Sequence, residues 1–271
     1  MGKISSAAKK IYSERIKEYK AVIDSIVANE KRVLLDIKKN PEGAGYLNVA
    51  LADDTLNIVS YYILMNKVST ELLGLKNEEL LNKARKACYK SIIYLEKVVS
   101  DTIDLPYSEY EEKLEKIVDF SDEGRWTLIQ KLGFSIDSVK NGYGENTKWK
   151  WAFVELEGRY GTIAKNILNL KKVLAGMDPR VEGYEIRTMH IHLVKSLLQQ
   201  AADRYREKYE LSTNRLDDFK LAIKYLSALR RIHLVMGETN ESEVIKKKID
   251  IWKSKMESDQ KRKESAAKRR R

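Results

Sequence analysis

The sequence predicts an all-α protein of stacked antiparallel helical hairpins, an irregular α-solenoid or bundle, with long helices at both ends. Three observations lead there. Only 3 prolines and 13 glycines punctuate 271 residues, too few for the turns of a strand-rich fold. Apolar residues make up 43% of the chain, ample for a core at this length. Through most of the chain they recur at three- and four-residue spacing, the period of a helix with one buried face.

Residues 3–39 carry the first seam, Tyr12, Ile16, Tyr19, Ile23, Ile26, Glu30, Val33 and Ile37, along a helix roughly 50 Å long. Pro41 and the glycines of "NPEGAG" end it. A second helix then runs from about residue 46 to Leu73. Asn77 caps a third, which reaches about Ser100 with Leu81, Ala84, Cys88, Ile92, Leu95 and Val99 inward. After Pro106, Ser108 and Glu111 have the spacing of a capping box for a short helix. Another helix is expected from about Asp122 to Lys140, with "NGYGEN" (141–146) as a loop behind it.

The most regular seam follows: Trp149, Phe153, Leu156, Tyr160, Ile163, Ile167, Leu170 and Leu174, read as one continuous helix. Gly158 and Gly161 lie on another face of it, and glycine within a helix points to a close neighbour. Asp178 and Pro179 are the expected cap and first residue of a helix over about 180–210. A further helix spans about Leu216 to Met236. Gly237 stops it, and Asn240 with Glu243 offers a capping box for the last helix, which buries Ile245, Ile249, Trp252 and Met256. Hairpins are expected over 46–100, 122–174 and 180–236. The domain reading is a single helical domain over 1–256, with possible sub-units 1–118 and 121–256 and a basic tail at 257–271 that has no apolar anchor.

Charge is uneven. The net charge of +11 divides into +5 over residues 1–40, −2 over 41–245 and +8 over 246–271, so a nearly neutral body carries two basic ends. No stretch is apolar enough for a membrane span, and the first residues lack the apolar core of a secretory signal. A cytoplasmic location is expected, in keeping with a single cysteine, Cys88.

Three groups of residues are candidates for function. Asp53, Asn57 and Ser60 share one helix face and are read as a hydrogen-bonded polar seam, with Arg85 or another base as counter-charge. "KWKW" interleaves cations with indoles, so Lys148, Lys150 and Trp151 are expected to contact a partner, whereas Trp149 heads the buried seam. In the tail, Lys261, Arg262, Lys263, Lys268, Arg269, Arg270 and Arg271 suit an acidic protein surface, an anionic lipid or a nucleic-acid backbone.

Enzymatic chemistry is not expected. The sequence holds no phosphate-binding glycine loop, nucleophile elbow or zinc-protease motif. His190 and His192 point in nearly opposite directions on a helix and cannot chelate one ion, while His233 lies on another helix. No cofactor or metal is expected; His190 and His192 are read as structural, and the sequence identifies no partner for His233.

Two resemblances accompany these patterns. Ala222, Tyr225 and the Gly237 turn give residues 214–253 a likeness to a tetratricopeptide hairpin, one residue out of register. The run "LNVALADDTLNIVSYYILMNKVSTELLGLKNEELLNKARKACYKSIIYLEKVVS" is similar to uncharacterised helical proteins of spirochaetes, some of which belong to flagellar motor assemblies. The expected function is a non-enzymatic scaffold or adaptor that binds protein partners through helical surfaces. The alternatives are a nucleic-acid or ribosome-associated protein, a flagellar motor component, and a helical-bundle enzyme or metal protein built around Asp53.

Overall fold

Every regular element of the computed structural model is helical, and no strand occurs among the described residues, 5–145 and 147–269, with side chains described through 265. Ten α-helices follow in order: α1 (Ser6–Lys39), α2 (Ala44–Leu73), α3 (Glu78–Val98), α4 (Glu111–Glu115), α5 (Asp122–Tyr143), α6 (Lys150–Asn166), α7 (Leu170–Ala175), α8 (Tyr184–Lys208), α9 (Leu216–Val235) and α10 (Thr239–Arg269). A 3₁₀ turn at Tyr107–Glu109 precedes α4, and a π turn at Tyr209–Thr213 extends α8. The chain forms two compact units. One comprises residues 1–100 and 110–156; the other comprises 101–109 and 157–271. The division falls inside α6.

In the first unit α2 is the central helix, and α1, α3 and α5 all pack on it. The α1 and α2 chains run antiparallel: Tyr19 meets Tyr61 with ring centroids 5.9 Å apart, and Asn29 near the other end reaches Asp54. Only Ile16, Ile23 and Glu30 of the α1 seam are fully buried, because this helix covers the unit from one side. Glu30 is the polar member of that seam. It accepts from Lys90 Nζ at 2.6 Å and from the Tyr94 hydroxyl, which ties α1 to α3.

The α2–α3 hairpin is the expected one. Asn77 caps α3 by accepting from Leu80 N at 3.1 Å, and its own backbone N–H donates to Asn66 Oδ1 at 2.8 Å. Ser91 donates to the Ala52 carbonyl at 3.0 Å across the interface. The predicted seam of α3, from Leu81 to Val99, is wholly buried.

Ser108 does not cap a helix. Tyr110 stands at the N-cap of α4 without a side-chain cap bond, and the turn that follows is held instead by Arg125. This arginine, 2% exposed, donates from Nε to the Phe120 carbonyl and from Nη2 to the Ile117 carbonyl, each at 2.9 Å. Ser121 starts α5 by accepting from Gly124 N, and α5 absorbs Asn141–Tyr143 of the expected loop before Gly144, at φ 82°, ends it.

In the second unit α8, α9 and α10 form successive antiparallel pairs. Lys208 and Asp218 pair at one end of α8 and α9, and Phe219 of α9 meets Trp252 of α10 with centroids 5.9 Å apart. Gly158 has the close neighbours its position implied. A Cβ there would stand 2.7 Å from the Tyr205 ring and 2.8 Å from the Tyr225 hydroxyl, whereas Gly161 has Leu197 at ordinary contact distance.

Several local expectations are corrected. The helix read as continuous from Trp149 to Leu174 breaks after Asn166. Asn169 accepts from Lys172 N at 3.0 Å and starts α7, a cap that an unbroken apolar period conceals. Asp178 holds Arg180 within a turn, and α8 begins six residues later behind Gly183 at φ 78°. Asn240 lies inside α10, which starts at Thr239, so its box with Glu243 does not form the cap. The expected hairpin over 122–174 is interrupted by the break at 167–169.

The C-terminal segment is helical as far as it is described. The α10 helix continues to Arg269, although its apolar seam ends at Met256, because polar groups take over the anchoring. The Tyr209 hydroxyl donates to Asp259 Oδ2 at 2.9 Å. Lys263 donates to the Asn214 carbonyl and lays its ammonium 5.3 Å from the Tyr209 ring centroid.

Candidate functional site

An open concave feature lies on the first unit, between α1 and α2. Val22, Ile26 and Leu64 give it apolar flanks; Asp54, Asn57, Ser60 and Tyr61 supply polar groups, around a groove of about 510 Å³. Spacings of three and four along α2 place Asp54, Asn57, Tyr61 and Leu64 on one edge. Asp54 has only a long contact there, from Asn29 Nδ2 at 3.4 Å.

This placement changes the role of the two aspartates. Asp53 does not join Asn57 and Ser60 in a buried network: its side chain is 46% exposed and pairs with Lys131 Nζ at 2.6 Å. Ser60 is exposed and donates back to the Leu56 carbonyl. The core positions of α2 belong to Leu51, Ala52, Thr55, Leu56, Ile58 and Val59, so the face starting at Asp53 borders the core without entering it. Asp54 is the carboxylate that faces the groove.

The counter-charge named in advance, Arg85, lies elsewhere on the same unit. Its guanidinium sits 4.2 Å from the Trp149 ring centroid and 5.9 Å from that of Tyr89, and its Nη2 donates to Asn82 Oδ1 at 2.8 Å. Lys148 approaches Trp149 at 5.6 Å and Glu78 at 3.8 Å, while Lys150 lies 4.7 Å from the Trp151 centroid. Trp149 and Trp151 are both half-buried. Trp149 therefore serves as a platform for cations and not as the core head of its seam. Lys76 completes the group, donating to the Tyr143 carbonyl at 2.5 Å with its ammonium 5.8 Å from the Tyr143 ring.

On the second unit, Lys261 and Arg262 are exposed, as is the side chain of Lys263 where it turns to Tyr209. Arg262 lies 3.9 Å from Asp259. The side chains of Lys268 and Arg269, and all of Arg270 and Arg271, lie outside the described residues.

The histidines do not converge. His190 is buried with Nε2 3.0 Å from the Ala164 carbonyl, and His192 is exposed. His233 has a partner that its sequence context does not show: Glu238, just past the Gly237 turn, lies 2.5 Å from His233 Nδ1 and accepts from Lys195 Nζ at 2.6 Å. Burial works to raise the Glu238 carboxyl, but the hydrogen bonds from Lys195 and His233 outweigh it and hold the group below its usual range. Among the described residues no cluster of three histidine, cysteine, aspartate or glutamate side chains is disposed to hold a metal ion. Burial pushes the Cys88 thiol up to about 12, which suppresses the reactive thiolate.

Lys165 gives no sign of its burial in the sequence, where it looks like a solvated base between Ala164 and Asn166. It is 3% exposed and donates to Asn166 Oδ1 at 2.9 Å, beside the ion pair of Arg231 with Asp104. Burial pushes its ammonium down to about 8; the like charge of Arg231 adds to the shift and Asp104 opposes it. Unfolded lysine titrates near 10.4, so the unfolded chain binds more protons between these values and stability rises with pH across that window. Below pH 8 the burial penalty is fully present. The Cys88 thiol acts in the opposite sense, so comparison with Lys165→Met, which keeps Cys88, isolates the lysine. Denaturant unfolding at pH 7 and pH 10 should show wild type gaining up to about 3 kcal/mol relative to the variant. A difference independent of pH would show Lys165 to be solvated.

The helical pairs define a class: an all-helical protein. The chain belongs to the TP0443 family, a spirochaete-type family that matches it over residues 8–260. That span takes in both units and most of α10. No curated protein and no solved structure matches it. The family match agrees with the spirochaete resemblance of residues 47–100, and nothing in the comparisons supports the tetratricopeptide likeness of 214–253.

Proposed function

We propose that this protein is a non-enzymatic scaffold or adaptor that binds protein partners through helical surfaces, with the basic end of α10 contacting an acidic partner. The observation that carries the reading is the α1–α2 groove. An open trough with apolar flanks, a polar edge and a carboxylate is the form of surface that receives a helix from another protein. A cytoplasmic location belongs to the same reading, consistent with the buried, unbridged thiol of Cys88.

Leu64, 41% exposed on the groove wall, provides the test. Leu64→Glu places a charge in the groove and leaves the core untouched. In extract of the native cell, the wild-type chain is expected to elute in a stoichiometric complex on size exclusion, and Leu64→Glu is expected to elute alone at an unchanged thermal midpoint. Elution of the wild-type chain alone would overturn the proposal, as would an identical complex formed by the variant.

A further inference from the structure

We infer that the face around Arg85 is a docking site for an acidic polypeptide segment, with the guanidinium taking a carboxylate over the Trp149 ring. The inference rests on the scaffold reading and supplies the chemistry of one partner. Arg85 is half-buried, and its Nε is buried without a hydrogen-bond partner. Among the described residues its contacts are the amide of Asn82, the rings of Tyr89 and Trp149, and the Tyr143 hydroxyl; no carboxylate pairs with it. A guanidinium taken partly out of water is costly unless an anion compensates it. The other buried arginine of this unit, Arg125, spends its donors on backbone carbonyls. Arg85 is held on aromatic faces with donor capacity left over.

The surroundings set the sign and class of the partner. Lys76 and Lys148 flank the same aromatic group, and the nearest acid, Glu78, lies 3.8 Å from Lys148, with both side chains largely exposed. Such an exposed pair contributes little and exchanges readily. A planar fork presented over an indole matches a carboxylate in two-point contact. Single-stranded nucleic acid needs open aromatic faces for its bases. Here Trp149 already carries Arg85 at 4.2 Å and Lys148 at 5.6 Å, and Tyr143 is buried.

Fluorescence anisotropy with the full chain tests the site. The probe is a labelled peptide of interleaved glutamate and leucine; its controls are the glutamine–leucine peptide and a labelled oligothymidylate. The acidic peptide is expected to bind saturably, about tenfold more weakly to Arg85→Gln, and several-fold more weakly to Lys148→Glu, whose exposed position keeps the measurement valid if Arg85→Gln fails to fold. Lys261→Gln with Arg262→Gln should leave the affinity unchanged. Equal binding by wild type and Lys148→Glu overturns the inference, as does loss confined to the α10 variant or tighter binding of oligothymidylate. A chain that enters its native complex yet ignores the peptide overturns the Arg85 site alone, whereas a chain found alone in native extract overturns the scaffold reading.

Discussion

Arg125→Met is expected to destabilise the first unit by about 4 kcal/mol, the cost of two charge-assisted hydrogen bonds lost inside the protein. The guanidinium is 2% exposed and lies 2.9 Å from the carbonyls of both Ile117 and Phe120, which close the turn between α4 and α5. Methionine fills much of the volume but leaves these carbonyls without their donor, and desolvated carbonyls keep the full penalty of burial. Arg125→Lys should recover little of the loss, since one ammonium cannot reproduce a fork aimed at two acceptors. Urea unfolding followed by circular dichroism measures the loss, and hydrogen exchange should show early opening of residues 116–125. A midpoint within experimental scatter of wild type would mean that the turn is held by other contacts.

Glu30→Ala is the second large effect, expected at about 3 kcal/mol. Glu30 is the point at which α1 is pinned to α3. Its carboxylate accepts from Lys90 Nζ and from the Tyr94 hydroxyl, and the tyrosine is 4% exposed. Without the carboxylate the phenol has no acceptor, whereas Lys90, with a side chain 43% exposed, can return to water. Most of the cost therefore comes from the tyrosine. The double variant with Tyr94→Phe should be substantially less destabilised than the sum of the two single variants, because removing both partners relieves the orphaned hydroxyl. Strict additivity in this cycle would sink the account. Burial and the neighbouring Glu30 carboxylate both raise the Tyr94 phenol, so its donated bond holds below the ordinary tyrosine range and weakens only as the pH rises beyond it.

Much of the fold was legible because helix period is a local property. The seams of α1, α3 and α10 can be read from spacing alone, and so can the stop at Gly237. Errors occurred where two local signals compete. The seam from Trp149 to Leu174 keeps its period across Ile167 and Leu168, both buried, so apolar spacing continues through a backbone that has already turned at the Asn169 cap. The capping boxes at Ser108 and Asn240 failed for a related reason: a matching residue pair offers a cap, but packing decides where the helix begins. Apolar spacing carries no sign of the polar contacts that Tyr209 makes with Asp259 and Lys263 near the end of α10.

The candidate site was legible in kind but not in arrangement. "KWKW" marked the cation–aromatic surface, yet Arg85, offered with other bases as the counter-charge of Asp53, lies against Trp149, more than sixty residues further along the sequence. Asp54 faces the groove because the axial rotation of α2 against α1 is set by packing. Lys165 carried no sequence signal, since a buried lysine and a surface lysine are spelled alike.

By itself the sequence determined that this protein is helical, where most helices lie, which faces they bury and that positive charge gathers at the ends, all consequences of side-chain period and composition within a few turns. Only the tertiary structure decided which partner each of these charges found: Lys131 for Asp53, the Ile117 and Phe120 carbonyls for Arg125, Tyr94 and Lys90 for Glu30, and a tryptophan in place of a carboxylate for Arg85. The physical reason is range. Hydrophobic spacing is satisfied by any apolar neighbour, whereas a charge taken out of water must meet a specific group at hydrogen-bonding distance, and which group arrives there depends on how distant helices are rotated against one another.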